Sequence, residues 1–375
     1  MFSENLMLDA IDYALSIGAQ YVEVRSQKNS EFVTVSRNGV LIGTGESVIE
    51  GIGVRVIVDG ALGFSATNKI DRENIMSAVK KAVGLAKASS RFMKKPIEFS
   101  PCKLARVQYS VVSKKAFENI DLSEKLELHS DLWKTAGQVI KEVKIPVLFV
   151  LYKESVEEKV VVNSDGAYVR SITPRISILY NVVASHPTKG TVQRTQQYGA
   201  SGGYEWIGEW KLHETFKDEV EKLEEILVKA VEPPREPVDV IVGSELVGLI
   251  VHESCGHPSE ADRILGREAA QAGKSFIKPG MIGEKIGNEY ATVIDDPTIP
   301  GSYGFYLCDD EGVPARPRYL YLNGVIHEHL HNRWTASLYS TESNGSARAT
   351  SYSSEPIIRM ANTYFKHGDY SFEEL

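Results

Sequence analysis

The spacing of apolar residues predicts a helix, a run of strands and a second helix in the first ninety residues. Ser3–Ser16 carries apolar side chains at helical intervals, and helical spacing returns over Asp71–Ser89. Asn38-Gly39 and Asp59-Gly60 lie between them and are two-residue hairpin signals. The strands predicted around these turns are Tyr21–Ser26, Glu31–Ser36, Val40–Glu46, Gly51–Val58 and Ala61–Ala66.

The middle of the chain repeats this alternation of helices and strands. One helix is predicted over Leu122–Val143 and another over Leu212–Ala230. Asp165-Gly166 marks a third tight turn between them. Gly199–Trp206 is too rich in glycine for a strand interior, so we predict a loop or bulge there. The strands predicted in this region are Val147–Tyr152, Glu158–Asn163, Ala167–Thr173 and Arg175–Ser185.

Glu232–Pro237 is the best candidate for a linker, because its prolines cannot continue a helix or a strand. We place a domain boundary there. Residues 1–232 are predicted to form a mixed sheet with flanking helices, and residues 233–375 a β-rich, barrel-like domain, which makes the fold class α+β. The second domain is predicted to contain a strand at Val238–Val242, a helix over Ser244–Cys255 capped by Ser244, and strands at Ala291–Ile294, Arg318–Leu322 and Val325–His331.

Composition and charge argue against several classes of function. The chain is 42% apolar and 25% charged, with a formal net charge of −8 and a pI near 5.7. This negative charge is poorly suited to nucleic acid as the main partner. We expect no membrane span, since no apolar run approaches ~18 residues, and no signal peptide at the amino terminus. Three scattered cysteines do not make a disulfide framework, so we expect a cytoplasmic protein.

The densest chemistry lies in His252–Asp262, which holds two imidazoles, a thiol and three carboxylates. A histidine followed at once by glutamate, with a second histidine nearby, is typical of hydrolytic zinc sites. His252 and His257 would hold Zn²⁺, and Glu253 would act as general base toward a water whose pKa the metal lowers to about 7. The alternative is a helix C-terminus at which the histidines only interact with the helix dipole. Two imidazoles beside a carboxylate on a buried element favour the metal.

The spacing of this motif poses a geometric problem. His-Glu-x-x-x-His has one residue more than the zincin pattern, and on a straight helix residues i and i+5 lie about 140° apart. A π-type turn would place His257 under His252. Alternatively, Pro258 would push His257 out of the helical region, so that it folds back past the helix end. We favour this second route, with His252 in the last turn of the helix and His257 just past its end. The side chains expected to bury this helix are Val247, Leu249, Ile250 and Val251.

The same stretch resembles the His-Glu-x-x-x-His motif of the TldD/PmbA metallopeptidases, which are also called modulators of DNA gyrase. The resemblance extends over essentially the whole chain. The further stretches that carry it are Gly53-Val54-Arg55-Val56, Asp59–Ser65, Tyr290–Pro297, Pro300–Gly304, Asp309–Arg316, Asn344–Ala349 and Pro356–Thr363.

This resemblance implies a zinc-dependent peptidase that holds unfolded or extended peptides in a cleft through backbone hydrogen bonds. It also implies assembly as a homodimer or with a paralogous, TldE-like subunit. Family members continue beyond the position of Leu375, and a cysteine in that segment is their third zinc ligand, so the chain resembles a truncated member. Some paralogues lack the metal motif, which makes a non-catalytic binding or regulatory subunit the alternative function. A metal amidase acting on small molecules would share the same chemistry.

Other polar groups near the motif have more ordinary interpretations. Cys255 is predicted to be a small buried residue rather than a ligand. Glu260 and Asp262 either orient the histidines or hold the backbone, and the sequence does not separate these two roles.

Two further clusters lie outside the motif. His327, His329 and His331 alternate along the chain, and we predict an exposed polar strand face rather than a second metal surface. Asp295-Asp296 and Asp309-Asp310-Glu311 offer oxygen ligands for Ca²⁺ or Mg²⁺, but their proline and glycine neighbours favour turns.

Overall fold

The computed structural model describes residues 4–267, residue 269 and residues 273–374. A seven-stranded sheet, here called the large sheet, lies in the first two thirds of the chain, and an open four-stranded sheet and a two-stranded sheet follow it. The predicted α+β class is confirmed. The described residues form no closed barrel, so the barrel-like architecture expected for residues 233–375 is not found.

The large sheet is built from fewer and longer strands than the sequence predicts. The first two predicted strands are one strand, β1, because it pairs along most of its length with β2 on one side and β5 on the other. Strands β2, β5 and β6 likewise each span two predicted strands. The strands are β1 (Tyr21–Arg37), β2 (Val40–Val58), β3 (Ala61–Thr67), β4 (Arg106–Ser110), β5 (Lys144–Asn163), β6 (Tyr168–His186) and β7 (Gly190–Ser201).

Strand order in the large sheet is β3-β2-β1-β5-β6, and β6 carries two further neighbours. Strand β4 pairs with its first half in parallel, and β7 pairs with its second half in antiparallel fashion. The loop or bulge predicted at Gly199–Trp206 is therefore wrong over its first three residues, which lie in β7. Gly199 serves packing there, since a Cβ would lie 2.8 Å from the ring of Tyr303.

Both hairpin turns predicted early in the chain are confirmed. Asn38 and Gly39 have φ of 54° and 72°, and Asp59 and Gly60 have φ of 49° and 71°. Positive φ at both central residues is the requirement of a type I′ turn, which Asn-Gly and Asp-Gly meet at low cost.

Helices cover the large sheet in two apolar clusters. Helices α1 (Glu4–Ser16) and α2 (Arg72–Ser90) pack with β1 and β2, and Asp71 caps α2 by accepting from the Asn74 amide at 2.9 Å. Helices α3 (Leu122–Val139) and α5 (Leu212–Lys229) pack with β5 and β6, and the short α4 (Trp206–Glu209) lies beside them. Within the described residues, no helix has both the length and the apolar character needed to cross a membrane.

The carboxy-terminal part, residues 244–374, contains short elements and many turns. The strand predicted at Val238–Val242 does not form, and the one predicted at Val325–His331 is limited to Val325–Ile326. The Asn323-Gly324 turn is confirmed, with φ of 51° and 78°. The elements are α6 (Ser244–Val251), α7 (Ala261–Ile264), β8 (Val293–Asp295), β9 (Arg318–Leu322), β10 (Val325–Ile326), α8 (Arg333–Leu338), β11 (Ala347–Arg348), β12 (Ile357–Ile358) and β13 (Thr363–Phe365).

Buried ion pairs join the large sheet to the carboxy-terminal part. Arg55 of β2 lies 2.5 Å from Glu23 of β1 and 2.9 Å from Glu311, and all three side chains are at most 2% exposed. Lys159 of β5 pairs with Asp310 at 2.9 Å. These pairs fix the position of the loop around residue 310 against the sheet.

Replacing Arg55 by Met tests this junction. The variant leaves Glu23 and Glu311 buried without a counter-charge, so the free energy of unfolding should fall by about 3–5 kcal/mol. Arg72→Met is the matched control, because Arg72 is 71% exposed and meets Asp9 at 3.5 Å on the surface, and it should have no measurable effect. Urea unfolding of both variants gives the comparison, and an equally small loss for both would contradict a role for the buried pairs.

Candidate metal centre

Helix α6 runs directly into a π turn over His252–Gly256. The amide of His257 donates to the carbonyl of His252, which is the i to i+5 hydrogen bond of a π turn. The turn brings both imidazoles to one side of the helix, by the first of the two routes considered from the sequence. His257 keeps helical dihedrals, with φ of −56° and ψ of −44°, so the displacement expected from Pro258 does not occur.

The π turn is pressed against the segment that follows β12. A Cβ at Gly256 would lie 1.8 Å from Sδ of Met360, so only glycine fits between them. Cys255 is buried beside the same methionine in the apolar cluster beneath the turn, and burial raises the pKa of its thiol to about 11. The prediction that Cys255 is a small buried residue is confirmed.

Helix α6 is buried less completely than expected. Val251 is fully buried and Val247 partly, whereas Leu249 is 58% and Ile250 43% exposed. The expected burial of Leu249 and Ile250 is wrong, because the helix contacts the core through a single i, i+4 stripe. The predicted cap is also wrong, since Gly243 is the N-cap and no side chain caps the helix.

His252, Glu253 and His257 converge at the exposed end of this helix. One ligand atom of each side chain lies within 4.8 Å of the others. The imidazole centroids are 4.7 Å apart with an interplanar angle of 81°, and Nε2 of His252 is 3.9 Å from Oε1 of Glu253. Within the described ranges, this is the group of three metal-ligand side chains that could share one ion. The two imidazole nitrogens are ligands that suit Zn²⁺, and the carboxylate of Glu253 lies beside them.

Glu260 lies against the second histidine. Its side chain is 1% exposed, and Oε2 lies 3.1 Å from Nδ1 of His257. Arg263 donates to the same oxygen from Nε at 2.9 Å, and its Nη2 lies 3.1 Å from His257 Nδ1. An ionised Glu260 can only accept a hydrogen bond from Nδ1–H, whereas the guanidinium of Arg263 can only donate to an unprotonated Nδ1, so the two neighbours suit different tautomers of His257. The tautomer with Nδ1–H directed at Glu260 is the one that leaves the lone pair of Nε2 available to a metal.

Of the two roles that the sequence left open, Asp262 has that of holding the backbone. Its Oδ1 accepts from the backbone amide of Arg263 at 2.9 Å and so holds the chain after the motif. Burial, and then the charge of Glu260, raises the pKa of Asp262 to about 6. Sequence reasoning overlooked Arg263, although its i, i+3 spacing from Glu260 is a pattern that pairs charges on a helix.

The acidic clusters outside the motif serve turns and ion pairs. Oδ1 of Asp296 accepts from the amide and hydroxyl of Thr298, and Oδ1 of Asp309 accepts from the amides of Glu311 and Val313. Asp295 pairs with the buried Arg318. The predicted turns are confirmed at Asp296 and at Asp309–Glu311, whereas Asp295 is the last residue of β8.

The three alternating histidines do not form an exposed strand face. His327 is exposed, but His329 and His331 are 0% and 4% exposed and lie against the ring of Tyr339. The prediction is wrong because the chain leaves the strand after Ile326, and Leu330 bonds instead with Ser259 and Ala261 beside the metal motif.

Three family models match the chain. Their descriptions are PmbA/TldA metallopeptidase domain 1 for residues 22–86, PmbA/TldA metallopeptidase central domain for residues 115–232, and PmbA/TldA metallopeptidase C-terminal domain for residues 235–375. Together they cover most of the large sheet, without β4, and the residues of the candidate metal centre.

Individual relatives agree with these models. A metalloprotease of Methanocaldococcus jannaschii is 31% identical over 370 residues, which cover 99% of this chain and 78% of the relative. A zinc metalloprotease TldD homolog of Saccharolobus solfataricus is 27% identical, covering 98% of this chain and 77% of the relative. The crystal structure of TldE from Thermococcus kodakarensis has the same fold, with a TM-score of 0.76 at 19% identity, over 98% of this chain and 79% of that one.

Glu260→Gln tests the orientation of His257. The amide cannot replace the carboxylate as a charged acceptor for Nδ1–H, so zinc affinity should fall about 10–100-fold. Competition with a chromophoric chelator measures this affinity. Glu245→Gln is the control, because Glu245 lies on α6 with its side chain 67% exposed, and its zinc affinity should match the parent. Unchanged zinc affinity in folded Glu260→Gln would rule out the orienting role.

His329→Leu tests the lowered pKa of the buried histidines through the pH dependence of stability. Burial lowers the pKa of His329 to about 4 and that of His331 to about 3, whereas unfolded histidine titrates near 6.5. Between about pH 4 and 6.5 the unfolded chain therefore binds more protons, and stability falls as pH falls through this window. His329→Leu should flatten that slope by up to about 1.4 kcal/mol per pH unit.

The control for this measurement is His367→Leu, since His367 is exposed. Neither ring nitrogen of His329 has a hydrogen-bond partner, so the leucine removes no hydrogen bond. Urea unfolding at several pH values gives the slopes, and identical slopes for parent and His329→Leu would contradict a depressed pKa.

Proposed function

The chain belongs to the PmbA/TldD family of metallopeptidases, and from this premise we propose that it is a zinc-dependent peptidase that cleaves unfolded or extended peptides. In this proposal His252 and His257 are zinc ligands and Glu253 is the general base. The convergence of these three side chains within 4.8 Å carries the assignment. The Saccharolobus relative is named a zinc metalloprotease, which supports zinc as the metal.

The surrounding residues suit this division of roles. Zinc in such a site supplies a Lewis acid and a water of lowered pKa. Glu253, with its side chain 61% exposed, extends into solvent beside His252 and can take the proton of an attacking water. In this proposal Glu260 accepts from Nδ1–H of His257 and leaves Nε2 for the metal, and the π turn fixes the relative positions of the two rings. The centre is thus positioned by backbone geometry and by one buried carboxylate.

The exposure of the proposed zinc site indicates what kind of substrate can reach it. His252 and Glu253 lie on an open surface with their side chains 48% and 61% exposed. An extended peptide can reach such a surface and be held through its backbone, which gives loose sequence preference. A small-molecule amide would fit the same chemistry, and a peptide is favoured because the family is one of peptidases.

The proposal extends to partners and location. The fold shared with TldE supports assembly with a paralogous subunit or with a second copy of this chain. The net charge of −8 supports a peptide rather than nucleic acid as the main partner. Cys102, Cys255 and Cys308 are free thiols, which suit a reducing compartment such as the cytoplasm.

A non-catalytic subunit of a TldD/TldE-type assembly is the second candidate function. The likeness of fold to TldE favours it. The presence of His252, Glu253 and His257 in one cluster favours the enzyme, since a purely structural subunit has no need of two imidazoles held beside a solvent-exposed carboxylate.

Glu253→Gln tests the proposed base. Zinc should stay bound, because both histidines remain, whereas cleavage of an unstructured fluorogenic peptide should fall by about 10²–10⁴-fold. The measurements are peptide cleavage and zinc content of the same preparation. Glu245→Gln on the same helix should keep full activity.

Two outcomes would count against the enzyme. Cleavage that is independent of Glu253 would point to a contaminating protease. A chain that binds no zinc and cleaves no peptide, in assembly with its partner as well as alone, would favour the non-catalytic subunit.

A further inference from the structure

A cavity beside the large sheet does not contain the metal-centre residues. It has a volume of about 610 Å³ and lies between β5 and β6 of the large sheet and loops of the carboxy-terminal part. Arg359 and Ala361 line it, while Met360 between them packs against Gly256 of the π turn. The segment 359–361 therefore separates this cavity from the metal centre, and the volume is typical of ligand sites.

The stretches that carry the family resemblance converge on this cavity. Tyr303, Asp310, Arg348 and Asn362 come from four such stretches, and all of them line it. None of these residues contributes to the proposed zinc chemistry. Their convergence gives the cavity a role that the metal centre does not explain.

The charge of the cavity is positive although the chain is negative. Five basic and four acidic side chains line it, against a net charge of −8 for the whole chain. Lys153 and Lys159 are neutralised by Glu31 and Asp310, at 2.6 and 2.9 Å.

The arginines of the cavity make different contacts. Arg175 donates to the carbonyls of Tyr303 and Phe305, and its nearest carboxylate lies at 3.9 Å. Arg348 donates to the carbonyl of Met360 and lies over the ring of Tyr306 at 5.1 Å, while its Nε has no partner. Because neutral carbonyls do not cancel a guanidinium charge, the cavity attracts a carboxylate.

A second cavity of about 480 Å³ adjoins the first at Tyr109, which lines both. Its lining is largely apolar and includes Val112, Trp206, Phe305 and Leu307. A ligand with an apolar side chain next to a carboxylate would place one group in each cavity. The carboxy-terminal residue of a peptide has this combination.

We infer that these two cavities form a peptide-binding site separate from the metal centre. The terminal carboxylate of a peptide binds at Arg348 and its last, apolar side chain enters the cavity beside Trp206. The inference rests on the proposed function only for the choice of a peptide as ligand. It adds a site that holds a peptide end away from the zinc ligands.

Isothermal titration with N-acetyl-Gly-Gly-Phe and its carboxy-terminal amide tests this site on the 375-residue chain. The free acid should bind at least about tenfold more tightly than the amide, because only the acid forms a charge-assisted contact with Arg348. Addition of zinc should leave the affinity unchanged, since the site lies apart from His252 and His257. Failure of the zinc peptidase proposal would not alter this result.

Substitutions of the cavity arginines test where the peptide carboxylate binds. Arg348→Gln should weaken binding of the acid about tenfold or more and leave binding of the amide as it is. Arg316→Gln is the matched control, because Arg316 is paired with Glu328 outside the cavity, and it should not change either affinity. Arg175→Gln provides a second variant in the cavity if Arg348→Gln does not fold, as judged by circular dichroism.

Three results would overturn the inference. Equal binding of acid and amide, or no binding of either, would exclude recognition of a terminal carboxylate. An unchanged affinity of folded Arg348→Gln and Arg175→Gln would exclude this cavity. Inorganic phosphate that binds as tightly as the peptide, and depends on Arg348, would assign the cavity to a free oxyanion instead.

Discussion

The burial of charge between the large sheet and the carboxy-terminal part determines how the molecule is assembled. Arg55 lies between Glu23 and Glu311, and Lys159 meets Asp310, each pair with little access to water. A buried charge that loses its partner is strongly destabilising, so all these pairs must form together. The two parts of the chain consequently dock in a single register. That register also sets the walls of the charged cavity and places the segment 359–361 behind the π turn.

The candidate metal centre depends on a local irregularity of the backbone. A straight helix would spread His252 and His257 around its circumference, whereas the π turn places them on one side. The irregularity is held by tertiary packing, because Gly256 lets Met360 approach so closely that no side chain fits between them. Glu260 contacts Nδ1 of the His257 ring at 3.1 Å. The π turn thus sets the positions of the two imidazoles, whereas Glu260 contacts only the ring of His257.

Local features of the structure could be predicted from the sequence. The Asn38-Gly39 and Asp59-Gly60 turns and the start of α2 at Asp71 depend on residues adjacent in the chain. For the His-Glu-x-x-x-His spacing the prediction favoured a helix end before His257 over the π turn that forms, because the packing around Gly256 could not be known from the sequence. The grouping of the three candidate site residues is found in the structure, while their roles in metal binding and catalysis stay predictions.

Features that depend on distant residues could not be predicted in this way. The alternation of His329 and His331 suggested a strand, but their burial follows from the contact of Leu330 with residues seventy positions earlier. Strand β7 forms because β6 is long enough to pair with it, although its glycines weaken the local signal. Sequence also contained no sign that Glu260, rather than Asp262, would lie against His257.

Helix α6 buries one apolar stripe, while Leu249 and Ile250 stay exposed. Little buried apolar surface therefore opposes its local opening. An ion shared by His252 and His257 would add its binding free energy to the cost of that opening. Local opening of α6 and metal binding are therefore coupled, and both the metal affinity and the hydrogen-exchange protection of the α6 amides measure this coupling.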